Sequence, residues 1–187
     1  MIIDELFFNK EKWISYSLSS LATEVSTRVE NPSTSEYDRF VGLEHFVSGD
    51  IKIKNYGSTA SLTSAAKKFE AGDILLARRN AYLKRSSLVN FNGVCSGDAY
   101  VLRENEELIV PSFLSLLTNS KSFWVFANAN AAGTMSKRVK WRDLEALEIK
   151  LPPIEIQKQI NEAVWSVEEA IDANNYLLNS LATKKVY

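Results

Sequence analysis

The sequence predicts a protein of the α+β class with mixed α/β content. We expect a globular domain built on a twisted, mostly antiparallel sheet with helices, followed by a long C-terminal coiled-coil-like helix. Alternating or apolar segments between turn signals precede Pro111, and apolar residues at helical spacing follow it. A seven-residue repeat follows Pro153. These observations place the domain at residues 1–151 and the long helix at residues 152–187.

The strand signals come first along the chain. Residues 13–25 fit a strand or a short helix with an apolar face. The predicted strands are 37–47, 51–54, 74–77, 87–91 and 99–102. The predicted loops and turns are 26–36, 55–66 and 93–97, which are polar or rich in Gly.

The helical signals follow. Pro111 suits the first turn of a helix, and the Asn/Ala run 128–132 ends that stretch at Gly133. An apolar-rich strand is predicted within residues 141–151, and Pro152-Pro153 is a firm break.

Beyond Pro153, three families of residues stay in heptad register, which predicts a helix of about 50 Å with a coiled-coil-like seam. Asn174 within the seam favours one register and one number of partners, at a loss of stability. An alternative is a helix folded back onto its own domain. The predicted helix-pairing residues, called the seam below, are Ile160, Ala163, Val164, Val167, Ala170, Ile171, Asn174, Leu177, Leu178 and Leu181.

Composition narrows the functional classes. The formal net charge is −1, yet residues 51–103 hold nine Lys/Arg against three Asp/Glu, and residues 1–50 hold four against nine. The single cysteine, Cys95, allows no internal disulfide and fits a reducing cytoplasm. The N-terminal segment has acidic residues and no long apolar run, so we expect neither a signal peptide nor a membrane anchor.

Two basic clusters are the richest polar features. Residues 78–85 directly follow the apolar strand at 74–77, and residues 133–140 form the second cluster. Arg binds guanine edges and phosphates bidentately and Asn reads adenine, so a loop at a strand end suits DNA contact. Ordinary surface charge is the alternative for each cluster alone. The candidate DNA-binding residues are Lys52, Lys54, Arg78, Arg79, Asn80, Tyr82, Lys84, Arg85, Thr134, Ser136, Lys137, Arg138 and Lys140.

Signatures of catalysis are absent from the sequence. It contains no phosphate-binding G-x-x-x-x-G-K-[ST] loop, no G-x-G-x-x-G, and no Asp- or Asn-Pro-Pro-aromatic motif. A single His45 and a single Cys95 do not make a zinc site or a nucleophile pair. We therefore expect no catalytic residue, no metal site and no cofactor.

Several segments, taken in order, resemble motifs of type I restriction–modification specificity subunits. They are FVGLEHF at 40–46, GDILLAR at 72–78 continuing through Tyr82-Leu83 to GVCSGD at 93–98, Gly133-Thr134 with Lys137-Arg138-Val139, and LPPIEIQKQI at 151–160. The family often has Glu where Ile156 stands. The resemblance covers residues 13–187, and the order and spacing of the segments carry it.

The resemblance implies a target-recognition domain that reads double-stranded DNA in the cytoplasm without catalysing a reaction. It also implies modification (methyltransferase) subunits, which use S-adenosylmethionine, and restriction (translocase) subunits, which use ATP, as partners. A complete family member has two recognition domains and two long antiparallel helices. We therefore expect a natural half-subunit or a truncated chain, completed by a second recognition half or by a second copy of itself.

Other functions stay open at this point. The helix at 153–178 carries five acidic residues against one lysine, which suits an assembly protein that docks methyltransferase subunits. A recognition domain of a fused type II restriction–methylation enzyme is a further alternative. A nuclease would use Asp143, Glu148 and Lys150, a short pattern that arises readily by chance.

The seam predicts self-association. If two copies pair through it, the chain dimerises and reads an interrupted palindrome, because the two reading surfaces are then related by a two-fold axis. Light scattering should give twice the chain mass of 21.0 kDa. A monomer at high protein concentration would count against pairing by this chain.

Overall fold

Short strands dominate the first half of the chain in the computed structural model, which describes residues 10–184. The strands are β1 (Ile14–Ser17), β2 (Ala22–Val25), β3 (Arg28–Val29), β4 (Arg39–Val41), β5 (Gly57–Ser58), β6 (Ala66–Phe69), β7 (Ile74–Ala77), β8 (Ser86–Leu88), β9 (Gly93–Cys95), β10 (Ala99–Glu104) and β11 (Glu148–Leu151). The α-helices are α1 (Leu18–Leu21), α2 (Phe113–Thr118), α3 (Lys121–Ala129), α4 (Trp141–Leu144) and α5 (Ile154–Lys184). Single 3₁₀ turns lie at Lys10–Lys12, Pro32–Thr34, Leu43–His45 and Ala81–Leu83.

These strands form three sheets. The first has the order β2-β10-β7-β8, the second β3-β6-β9-β4-β5, and the third pairs β1 with β11. Among the strands named above, β4 and β9 run parallel, while the other neighbours are antiparallel. The α+β class, the mostly antiparallel sheets and the long C-terminal helix are thus confirmed.

Strands β7 and β10 lie between two hydrophobic cores. Ile74 and Leu76 of β7 face a core shared with helices α2 and α3, whereas Leu75 faces a second core with Val41 and Phe69. Strand β10 alternates in the same way, because successive side chains of a strand point to opposite faces. Burial on both faces explains why residues 74–77 are a continuous apolar run rather than an alternating one.

Several predicted boundaries were wrong. Residues 13–25 hold both of the alternatives, as β1, α1 and β2 in succession, and the predicted loops 26–36 and 55–66 contain β3, β5 and the start of β6. Residues 51–54 form only an isolated bridge between Lys52 and Leu88, not a strand. The stretch at 141–151 begins with α4 before β11. The predicted helix after Pro111 is two helices, the second starting after the N-cap Ser120 and ending at Ala129.

The turn predicted at 93–97 was also wrong, since it begins with strand β9. Gly93 lies in this strand, and a Cβ built there would meet the Arg39 carbonyl oxygen at 2.7 Å and the Phe69 ring at 2.8 Å. This glycine marks close approach of two backbones rather than a turn. Strand β6 was missed because it has two lysines, whose ammonium groups lie on Glu24 (2.9 Å from Lys67) and Glu70 (2.8 Å from Lys68).

Helix α5 is anchored to the domain along one face. The buried Gln157 side chain accepts the Val110 N–H at 3.2 Å and donates to the Pro152 carbonyl at 3.0 Å. One turn later, Asn161 donates to the Pro111 carbonyl at 3.0 Å. These contacts hold the first turns of the helix on the domain. This face of the helix therefore packs as expected for the alternative in which the helix folds back onto its own domain.

Three ion pairs extend the anchor along the helix. Lys54 Nζ lies 2.7 Å from Glu168 Oε1 and 2.8 Å from Asp172 Oδ1, and Lys52 Nζ lies 3.5 Å from Asp172 Oδ2. Burial lowers the pKa of Lys54, but its hydrogen bonds with Asp172 and Glu168 outweigh this and raise it. The hydrogen bond from Lys54 likewise lowers the pKa of Asp172. We call these four side chains the helix strut.

The seam lies beside the anchored face and is mostly open to solvent. Ile160 is the exception, because it packs partly against the domain core. The large apolar seam residues retain between 36% and 64% of their exposure: Val164, Val167, Ile171, Leu177, Leu178 and Leu181. This apolar stripe is available to another helix.

The strut generates the first structural prediction. Lys54→Met keeps the aliphatic chain but removes the charge that separates Glu168 from Asp172, so the middle of α5 should open more often. A loss of about 1.4 kcal/mol, of the order expected for charged hydrogen bonds, makes amide hydrogen exchange about tenfold faster at residues 166–174. The control is Lys158→Met, which replaces an exposed lysine of the same helix. Equal exchange in the two variants would show that the strut does not hold the helix.

Candidate nucleic-acid interface

The two basic clusters, predicted separately, form one surface in the structure. The backbone N–H of Val139 donates to the Arg78 carbonyl at 2.9 Å, and that of Asn80 donates to the Lys137 carbonyl at 2.8 Å. Arg79 and Arg138 form an antiparallel bridge between these hydrogen bonds. The segment after β7 and the segment before α4 are therefore held side by side by main-chain pairing.

One carboxylate lies among three arginines of this surface, which we call the arginine cluster: Arg78, Arg79 and Arg138. Asp98 Oδ1 lies 3.1 Å from Arg138 Nε and 3.4 Å from Arg78 Nε. Asp98 Oδ2 lies 3.6 Å from a terminal nitrogen of Arg79. The arginine side chains retain 36–45% of their exposure and Asp98 retains 20%, so the guanidinium groups face solvent around a half-buried carboxylate.

The electrostatics leave this surface positive. Burial raises the pKa of Asp98, but the hydrogen bond and charge of Arg138, together with Arg78, outweigh burial and lower it. The hydrogen bond with Asp98 raises the pKa of Arg138 in turn. Asp98 is therefore ionised at neutral pH, and one negative charge offsets three positive ones.

A tight loop carries the second basic segment. Ala132 and Arg138 exchange backbone hydrogen bonds of 3.0 and 2.9 Å, which closes the loop between them. Gly133 has φ of 125°, a conformation that L side chains rarely adopt. Ser136 accepts a hydrogen bond from Arg79 Nε, and Met135 at the tip is 98% exposed. The other predicted contact residues of this loop and its flank are exposed: Thr134, Lys137 and Lys140.

The first basic segment curls over a 3₁₀ turn. Asn80 and Lys84 have left-handed backbones, with φ of 55° and 48°, and they bracket the turn that presents Tyr82, which is 64% exposed. Arg85 points inward instead, donating to the Leu43 carbonyl at 3.1 Å and to the Arg79 carbonyl at 2.9 Å. Burial lowers the pKa of Arg85. This side chain braces the loop beneath the arginine cluster.

The remaining candidates, Lys52 and Lys54, lie against helix α5 in the strut rather than in the arginine cluster. Their role in DNA binding stays a prediction, and their ion pairs favour a structural role. Sequence reasoning missed Asp98. Only the register of β7 and β10, with Ala77 opposite Ala99, places Asp98 beside Arg78, and local sequence patterns do not reveal this register.

Among the residues considered for catalysis, His45, Glu148 and Asp143 have structural partners, and Cys95 is buried. His45 Nδ1 accepts the Gly42 N–H at 2.9 Å, and burial raises the pKa of Cys95 to about 12, which removes a thiolate at neutral pH. Glu148 accepts a hydrogen bond from Ser15 at 2.7 Å, and Asp143 lies 3.3 Å from Arg142. Within residues 10–184, no group of three His, Cys, Asp or Glu side chains could hold a metal ion.

Comparison with known proteins decides the family. The family model described as type I restriction modification DNA specificity domain matches residues 10–183. The chain belongs to this family. Within the described part of this specificity domain, no helix has the length and apolar character needed to cross a membrane.

Individual relatives agree with this membership. The type I restriction enzyme EcoDI specificity subunit of Escherichia coli is 24% identical over 155 residues, which are 81% of this chain and 33% of that protein. The HsdS subunit of Thermoanaerobacter tengcongensis superposes with a TM-score of 0.70 and 26% identity, over 89% of this chain and 44% of that one. A chain from a structure of type I R-M system assembly and conformational transition gives 0.69 and 27%, over 89% and 44%. This chain thus spans less than half the length of these relatives.

The inward orientation of Arg85 generates a stability prediction. Arg85→Ala removes two charge-assisted hydrogen bonds to carbonyl groups and should lower the free energy of unfolding by about 2 kcal/mol in urea denaturation. Arg138→Ala removes an exposed ion pair and should change it much less. Similar losses from the two substitutions would contradict the bracing role of Arg85.

Proposed function

We propose that this chain recognises a specific sequence in double-stranded DNA within a type I restriction–modification complex. In this role it directs methylation and restriction to the target and catalyses neither reaction. The observation that carries the proposal is the arginine cluster, in which main-chain pairing joins two basic loops into one solvent-facing surface.

The geometry supports a division of roles across this surface. Arg78 and Arg79 emerge directly from the end of a buried strand, so their positions are well defined, as base readout requires. Lys137 is exposed on the neighbouring loop and suits a phosphate, which positions the protein without reading sequence. Tyr82 and Met135 add exposed apolar surface next to these charges.

The partners follow from family membership and from the helix. The chain is less than half the length of its relatives, which supports the view that it corresponds to one of two recognition halves. The exposed seam of α5 supports pairing with the helix of a second half, including that of a second copy. Modification and restriction subunits are the further partners, in the cytoplasm.

A second candidate function, assembly through the helix, has its own support. The seam is apolar and exposed, and its flanks include Glu155, Glu162 and Glu169, which do not suit a phosphate backbone. This function is compatible with DNA reading by the domain. It predicts that the loss of the arginine cluster leaves complex assembly unchanged.

The test begins by identifying the target. Co-expression with the neighbouring methyltransferase subunit, followed by sequencing of methylated sites, gives the sequence. Gel shifts then compare target and scrambled duplexes at several salt concentrations.

Variants of the surface should separate the two roles. Arg78→Ala and Arg79→Ala should each reduce the preference for the target by about tenfold, because each removes a guanidinium able to read a base edge. Lys137→Ala should weaken binding to the target and to the scrambled duplex equally. It should also reduce the slope of log affinity against log salt by about 0.9, the value for one phosphate contact. The control is Arg28→Ala, which removes an exposed arginine on the edge strand β3. Affinities unchanged in all three surface variants would overturn the assignment of this surface.

A further inference from the structure

Asp98 is held among the arginines by the sheet rather than by chance contact of mobile side chains. It immediately precedes β10, and its carbonyl accepts the Arg78 N–H at 3.0 Å. Its own N–H donates to Ser96 Oγ at 3.2 Å. The backbone on both sides of the carboxylate is therefore fixed relative to the end of β7.

A carboxylate and a phosphate compete for the same guanidinium donors. Both are oxygen anions that accept paired N–H bonds from arginine. In this chain Asp98 engages Nε of Arg138 at 3.1 Å and Nε of Arg78 at 3.4 Å. A DNA phosphate that approaches Arg138 must displace the carboxylate or accept its negative charge nearby.

We propose that Asp98 acts as an internal competitor for DNA phosphate, which weakens binding to DNA of any sequence and so increases discrimination in favour of the target. The inference rests on the proposed function. Target DNA offsets the competition because base-edge contacts form only there, whereas non-target DNA offers phosphates alone.

The contacts leave room for this exchange. The Arg79 contact is longer, at 3.6 Å, and each guanidinium carries five N–H donors, of which Asp98 engages only some. The arginine side chains are also about 40% exposed, so a phosphate reaches them without unfolding of the loop. Asp98 therefore weakens the binding of phosphate at this surface without blocking access to the arginines.

A purely structural role for Asp98 predicts the opposite result. If the carboxylate only positioned the arginines, its loss would disorder them and weaken binding to every duplex. The sign of the change in non-target affinity distinguishes the two roles.

The experiment measures the affinity of wild type and Asp98→Asn for the mapped target duplex and for a scrambled duplex of equal length. Asp98→Asn should bind the scrambled duplex about tenfold more tightly and steepen its salt slope by about 0.9, because the released guanidinium charge becomes available to one more phosphate. The affinity for the target duplex should rise less, so the ratio of target affinity to scrambled affinity should become smaller. The matched control is Glu30→Gln, which removes one acidic partner from an exposed pair with Arg28 on β3 and should leave discrimination unchanged.

A second set of variants checks that the effect runs through the arginines. Arg138→Gln should weaken binding to the scrambled duplex more in the Asp98→Asn background than in wild type, because Arg138 is free of its competitor there. Equal losses in the two backgrounds would overturn the inference. Thermal unfolding identifies any variant that loses its fold. If Asp98→Asn does so, Asp98→Ser provides a smaller side chain and should show the same rise in affinity for the scrambled duplex.

The outcomes separate this inference from the proposed function. If wild type shows no preference for the mapped target duplex over the scrambled duplex, the proposed function fails. If wild type shows that preference and Asp98→Asn leaves discrimination unchanged, or lowers both affinities, only the role of Asp98 fails.

Discussion

Antiparallel pairing of β7 with β10 determines where the arginine cluster lies and which loops flank it. Residues 74–77 and 99–102, which pair with each other, are buried between two hydrophobic cores, so neither face of this paired segment tolerates a charge. The register sets Ala77 opposite Ala99, and the next residues outward are Arg78 and Asp98. The first charged side chains after the buried strands therefore meet each other, and the arginine cluster is built at that point.

The loop that carries Lys137 and Arg138 lies beside this strand end, and backbone hydrogen bonds fix its position there. Hydrogen bonds from Val139 to Arg78 and from Asn80 to Lys137 extend the hydrogen-bonding edge beyond the sheet. The proposed reading of DNA requires these side chains to be held in place, and a strand that is buried on both faces provides rigid support for them. Arg85 adds to this support from below, so one basic residue stabilises the loop while its neighbours face solvent.

Sequence patterns predicted the features that depend on local spacing. The apolar run at 74–77, the long helix and both basic clusters each show their character within a few residues. The patterns failed where a distant partner decides the outcome. Gly93 indicates a turn by itself but permits close packing with Arg39. The ion pair of Lys54 with Glu168, more than a hundred residues later, was likewise not predicted, while the predicted DNA contact of Lys54 stays a prediction. Pairing of distant strands and ion pairs across the fold is not encoded in local periodicity.

The strut has a geometric consequence for the proposed complex. It joins the loop that carries Lys52 and Lys54 to the middle of α5, and that loop pairs with β8, the neighbour of β7. The same sheet therefore fixes both the direction of the helix and the position of the arginine cluster. If the exposed seam pairs with the helix of a second half, each reading surface has a defined orientation relative to the common axis. The spacing between the two parts of an interrupted target then follows from contacts within each chain, and the ion pairs of the strut are among these contacts.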